Sequence, residues 1–231
     1  MKNQPIKNYF LINYKVRWGL SVYGWIFLAL MILAPLYYGF RNFYSVLAPV
    51  QREKTDILVL EGFVSDYVLY EAIKEFKNNH YKLLITTGTP LEYGGFLAPY
   101  RNTARIAGMS LLKLGFDSTK LVIIGTDEIR NDRTYNSAVV LKNWIRSHRP
   151  DIKAINLMTM SVHSGRSRLL FEAALGDSIK VGIISTTNFY YGANSWWRSS
   201  KGFRETMNEA IGYFYVRYFF RPYESELLKK H

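Results

Sequence analysis

The chain contains no cysteine, which excludes a disulfide framework, a thiolate metal site and a cysteine nucleophile. Neither glycine-rich nucleotide fingerprint occurs, G-x-G-x-x-G or G-K-[ST], so the common phosphate cradles of dinucleotide enzymes and P-loop proteins are missing. G-x-S-x-G is absent as well, which argues against a serine hydrolase. Internal repeats and low-complexity tracts are lacking. Acidic residues are few, 18 against 30 Lys and Arg, and the resulting net charge of +12 favours anionic partners: phospholipid, phosphate ester or nucleic acid. Aromatic residues reach 16%, but no base-stacking motif accompanies them, so nucleic acid is not an expected partner. With 48% hydrophobic residues in 231, the chain can bury one substantial core and carry an appendage.

Charge is also missing from residues 19–40, GLSVYGWIFLALMILAPLYYGF. About 22 residues at 1.5 Å rise span roughly 33 Å, the thickness of a bilayer core. Trp18, Trp25, Tyr37 and Tyr38 are placed as interfacial aromatics, and Pro35 reads as lying near one end. Lys2, Lys7, Lys15 and Arg17 precede the span without an acidic residue, whereas the far flank mixes Arg41, Arg52 and Lys54 with Glu53 and Asp56. The positive-inside rule then makes the N-terminus cytoplasmic. A cleaved signal peptide is the rival reading, opposed by the length of the run and by Pro49 just after the small-residue site at Ala48. The expected organisation is a cytoplasmic segment (1–18), a transmembrane anchor (19–40), a linker (41–54) and an extracytoplasmic domain (55–231). This describes a single-pass inner (plasma) membrane protein with a periplasmic or extracellular domain, in contact with the lipid bilayer.

From residue 55 short apolar runs alternate with amphipathic segments, the pattern of an α/β fold with a mainly parallel sheet. Five strands are expected: DILVLE (56–61), KLLITT (82–87), LVIIG (121–125), AINLMTMS (154–161) and KVGIIS (180–185). Each is nearly all apolar, as a strand covered on both faces should be. Helical spacing joins Val68, Ala72, Ile73 and Phe76; Ile106, Met109 or Ser110, and Lys113 or Leu114; Ala138, Leu141 and Ile145; and Leu169, Leu170 and Ala173. A terminal helix from about Ser199 places Met207, Ala210, Ile211, Phe214, Tyr215 and Tyr218 on one face, and its aromatic end is expected to dock on the domain or on the membrane surface. The fold class is thus a Rossmann-like doubly wound, five-stranded sheet with helices on both faces, preceded by one transmembrane helix.

Ligands of such sheets bind beyond the carboxyl ends of the strands, where the strand order reverses. In the common doubly wound order the first and fourth strands flank that point, bringing Glu61 and His163 near each other. These two are the candidate catalytic pair. Arg166 follows His163 by three residues at a helix start, where a guanidinium and helix amides face an anion together. Gly62, Thr87 and Gly88 contribute strand-end turns, and Ser161 adds a hydroxyl beside the imidazole. His163 keeps four readings: corner residue, proton carrier, phosphate ligand or metal ligand. His80, His148 and His231 lie away from the strand ends, so a metal is the weaker alternative, held by oxygen of Glu61, Asp66, Asp127 or Asp132. The cofactor and the oligomeric state are left open.

Four stretches, DILVLEG, LLITTGTP, DRTYNSAVVLKNWI and MSVHSGRSRLLF, together resemble the ElyC/SanA/YdcF family of bacterial envelope proteins over about residues 55–220. The match is in order and spacing and includes the His-x-x-Arg corner at His163 and Arg166. It departs where the family shows two glycines after the first strand (here Glu61-Gly62), Ser-Gly-Gly after the second (Thr87-Gly88-Thr89), and Thr-x-Glu-Asn-Ala at the helix start (Thr134 to Ala138, with Asn136 and Ser137). The resemblance implies a diverged member with a Rossmann-like domain, a role in peptidoglycan or lipid-carrier upkeep, and ligand contacts at Thr134 and Asn136. Anchor, basic charge and loop residues together lead to an expected function: binding, with or without processing, of a phosphorylated or anionic envelope metabolite or lipid phosphate. A non-enzymatic membrane scaffold is the alternative, and a nucleotide or S-adenosylmethionine-type enzyme the third reading.

Overall fold

The computed structural model describes residues 8–9, 12–13, 20–95, 97–126 and 132–222. The basic flank at Lys2, Lys7, Lys15 and Arg17, together with Trp18, Asp127 and His231, lies outside the described residues. Two compact units divide the chain, residues 1–41 and 42–231. In the first, β1 (Asn8–Tyr9) pairs antiparallel with β2 (Ile12–Asn13). Helix α1 (Val22–Leu47) follows, its 26 residues continuing into the second unit.

No residue of the most apolar 18-residue window of α1 is buried, so this is not the core helix of a soluble domain. It is long and apolar enough to cross a membrane. Two expectations are corrected here. Pro35 lies in the middle of α1 rather than near an end, and residues 42–47 of the expected linker are its last turns.

The second unit is a sheet of six strands, one more than expected. β4 (Ile57–Glu61), β5 (Leu83–Gly88), β6 (Leu121–Gly125), β7 (Ala154–Met160) and β8 (Lys180–Thr186) are the five expected strands, within two residues at each end. β3 (Val50–Gln51), inside the stretch read as linker, pairs antiparallel with β8. Two residues are too short to carry a periodic signal, and Asn156 compensates by fixing the chain just after them: its side chain accepts from Glu53 N at 2.7 Å and donates to Glu53 O at 2.9 Å. The order is β3-β8-β7-β4-β5-β6, so the five parallel strands in chain order lie as 3-2-1-4-5. β4 is buried at every position, which explains its unbroken apolar run.

Helices α2 (Asp66–Asn78) and α3 (Thr103–Lys113) cover one face through Val68, Leu69, Ala72, Phe76, Ala107 and Leu111. On the other face α4 (Arg133–His148) and α5 (Ser164–Leu175) bury Ala138, Leu141, Ile145, Leu170 and Phe171. The expected faces of α3 and α5 are out of phase. α3 buries Thr103, Ala104, Ala107, Gly108 and Leu111, because it approaches the sheet so closely that a Cβ on Gly108 would lie 2.5 Å from Ile123 Cδ1. In α5 the buried set is Ser164, Gly165, Ser167, Leu170, Phe171, Ala174 and Leu175, leaving Leu169 half-buried and Ala173 exposed. Small residues mark these interfaces, and a reading that follows large apolar residues misses them.

In helix α6 (Ser200–Tyr218) the buried residues are Gly202, Thr206 and Ala210, while Ile211, Phe214, Tyr215 and Tyr218 are exposed. A third cluster joins Tyr44 and Leu47 to Val162, Tyr191, Trp196 and Ala210. Trp196 is fully buried there, and Trp196→Ala is expected to cost about 3–5 kcal/mol in urea unfolding.

Candidate functional site

β4 and β7 are neighbours although two strands separate them in the chain, so the strand order reverses between them. A crevice opens beyond their carboxyl ends. β4 ends on Glu61, whose Oε2 accepts a 2.7 Å hydrogen bond from Ser167 Oγ on α5. β7 passes into a 3-10 turn, Ser161–His163, and α5 starts at the next residue, so His163 and Arg166 lie one turn apart. The corner is tight: Ser161 has φ +49°, and its carbonyl accepts from Ser164 Oγ at 2.7 Å and from Ser185 Oγ at 2.9 Å.

His163 stands between two carboxylates. Its Nε2 is 3.7 Å from Glu61 Oε2, and its Nδ1 is 3.1 Å from Glu209 Oε1. Arg166 grips the same Glu209 with two prongs, Nε to Oε2 at 2.8 Å and Nη2 to Oε1 at 3.1 Å. Burial alone would raise the Glu209 carboxyl, but the hydrogen bonds from His163 and Arg166 outweigh it and hold the group at about 2. Glu209 is therefore a carboxylate that only accepts, which puts the shared proton on Nδ1. The contact of 3.1 Å between Arg166 Nη2 and Nδ1 is then one between two donors that meet on Oε1. Nε2 is left to face Glu61. Burial disfavours the imidazolium, yet Glu209 and Glu61 together raise the His163 pKa above its usual 6.5.

A cavity of about 310 Å³ lies at this point, lined by seven of the nine candidate residues: Glu61, Gly62, Thr87, Gly88, Thr134, His163 and Arg166. Asp132, Arg133 and Ser137 from the start of α4 line it too. Thr87 is only 1% exposed, and its hydroxyl has no protein partner. Leaving such a group unpaired costs about 1–3 kcal/mol, which makes it a contact for a ligand or water. The N-terminus of α4 opens on the same space, and Asp132, its N-cap, makes no side-chain capping bond.

Two candidates do not join. Asn136 is buried but lies two residues round α4 from Thr134, off the cavity wall. Ser161 lines a second cavity of about 280 Å³ with Met160, Val162, Tyr191 and Glu205, and its hydroxyl is 2.8 Å from Tyr44 OH. His163, Arg166 and Phe63 border both cavities. The glycine turns serve close packing. Gly62 N already donates to Thr87 O at 2.6 Å, and a Cβ on Gly88 would clash with Thr103 Oγ1 and Ala104 N. These turns let α3 press against the strand ends, so Gly88→Ala is expected to cost about 1–3 kcal/mol, read as a lower urea midpoint.

Three contributors were missed. Glu209 was hidden because the aromatic face of α6 drew the sequence reading; its clue is a carboxylate on a helix face that otherwise carries Gly202, Thr206 and Tyr213. Ser167 lies four residues after His163, a spacing that places both on one side of α5. Arg133 is a cation at a helix start, where the dipole disfavours it. Its guanidinium is held away from the helix, by Thr89 Oγ1 at 2.9 Å and Pro90 O at 3.0 Å, and it sits 5.7 Å from the Phe63 ring centre. Among the described residues no three His, Asp or Glu side chains cluster as metal ligands, and Asp66 does not line the cavity.

The pH dependence follows from the two shifts. The depressed Glu209 contributes stability above its ordinary 4.5 that is lost as pH falls through about 2. The raised His163 contributes below its ordinary 6.5, and that is lost as pH rises through the folded value. Urea midpoints across pH are therefore expected to peak between these ordinary values, and Glu209→Gln should flatten the acidic side.

No protein-family model matches the chain, and no curated protein matches it.

Proposed function

We propose that the chain is a membrane-anchored cell-envelope protein, a diverged relative of the ElyC/SanA/YdcF proteins, whose cavity binds a phosphorylated or anionic envelope metabolite. The carrying observation is the convergence on one cavity of the unpaired Thr87 hydroxyl, the uncapped start of α4, Arg133, Arg166 and His163. Hydroxyls, helix amides and guanidinium groups around one space match the oxygens of a phosphate.

His163 and Glu61 supply acid–base chemistry in this reading. A substrate oxygen about 2.8 Å from both Nε2 and Glu61 Oε2 would take a proton from the imidazolium or lose one to the carboxylate. Glu209 holds the ring in position, and Ser167 holds Glu61. The anchor is α1, with the N-terminus in the cytoplasm and the domain outside.

Calorimetric titration of the full chain with pyrophosphate tests the binding. Arg166→Ala is expected to weaken it at least about tenfold, the loss of one charged hydrogen bond. Unchanged binding in a folded variant would sink the reading. The exposed aromatic face of α6 supports a second reading, a non-enzymatic scaffold, in which cavity variants stay silent and substitutions on that face abolish function.

A further inference from the structure

The outer face of α6 is apolar where a surface helix is ordinarily polar. Ile211 is 70% exposed, Tyr218 68%, Tyr215 53% and Phe214 50%, and the last ring stacks on Tyr218 with centroids 6.3 Å apart. At 3.6 residues per turn these four share one side of the helix, and Arg204 lies on that side with them. Glu205 and Glu209 turn the other way, toward Tyr191 and His163. The aromatic strip thus contains no acidic residue.

We infer that this face rests on the surface of an anionic bilayer, an inference that depends on α1 being the membrane anchor. Three observations select a bilayer over a protein partner. The chain enters the domain at Asn42, and the next residues, Phe43, Tyr44 and Leu47, pack with Trp196, Tyr213 and Ala210, the last two on α6. These entry residues lie on the α6 side of the domain and are the last turns of the helix that is fit to cross a membrane. The strip is built mainly of Tyr and Phe, whose rings suit the headgroup boundary. Exposed Arg204, Arg217 and Arg221 add positive charge toward anionic headgroups.

Because the chain has no cysteine, single probes are simple to place. Full-length Tyr215→Cys, Leu30→Cys and Lys74→Cys variants, each carrying a fluorophore, are reconstituted into nanodiscs of equal parts phosphatidylcholine and phosphatidylglycerol with brominated acyl chains. Position 30 reports the anchor, and position 74, exposed on α2, is the control. At position 215 quenching is expected to be strongest with shallow bromines, a depth of about 5–10 Å, and at position 30 with deep bromines, with none at 74. Quenching at 30 without quenching at 215 overturns the docking and leaves the anchor standing. Absence at both positions overturns the anchor and the docking with it. A probe response at 215 that depends on the number of chains per disc, without quenching, assigns the face to a second copy and also overturns the inference. Ile211→Cys repeats the measurement should Tyr215→Cys fail to fold.

Discussion

Replacing Glu209 by Gln is expected to lower the His163 pKa from above 6.5 to below it, because the burial that disfavours the imidazolium then loses its main opponent. Arg166 loses its bidentate partner in the same variant, at a cost of about 1.5–3 kcal/mol in unfolding free energy. Proton NMR of the imidazole reads the first effect, and urea unfolding the second. Glu209→Asp keeps the charge and should restore part of the shift. A purely structural Glu209 would lower stability without moving the imidazole titration, and that outcome would remove it as the residue that positions His163.

Arg166→Ala is expected to have the larger effect on folding. It strands the Glu209 carboxylate, whose side chain is only 20% exposed, and breaking a buried pair from one side costs about 3–5 kcal/mol. The low end applies, since Arg166 is itself 29% exposed. Arg166→Ala combined with Glu209→Ala removes both charges, so the double variant should be more stable than Arg166→Ala alone. If the single and double variants unfold at the same urea concentration, the network holds no stranded charge and the electrostatic account fails.

How much of this was legible in the sequence differs by layer. The five parallel strands announce themselves because strands buried on both faces must be apolar throughout, as in ILVLE. The doubly wound order brings the ends of the first and fourth strands together, and the Glu61 and His163 side chains meet there at 3.7 Å. Edge strand β3 left no trace, because it is held by the Asn156 side chain across more than a hundred residues rather than by local periodicity. Helix phase failed where close packing selects small residues, at Gly108 in α3 and at Gly165 and Ser167 in α5. Glu209 stayed hidden because the apolar stripe of α6 draws the eye to a different face from the one that carries the carboxylate. Asn136 entered through its place in a resembling helix start, and its buried side chain lies off the cavity wall.

The central claim is that the cavity between β4 and α4 recognises an anion, and Thr87 tests it most directly. Its hydroxyl is buried without a protein partner, so Thr87→Val removes an unsatisfied group at nearly constant shape. The measurement is calorimetric titration of full-length wild type, Thr87→Val and Asn136→Ala with pyrophosphate, alongside urea unfolding of each without ligand. The account predicts that Thr87→Val unfolds no more easily than wild type yet binds about tenfold more weakly, the loss of one hydrogen bond to a charged group, while Asn136→Ala binds as wild type does. Equal affinity in wild type and Thr87→Val, with both folded, would contradict it.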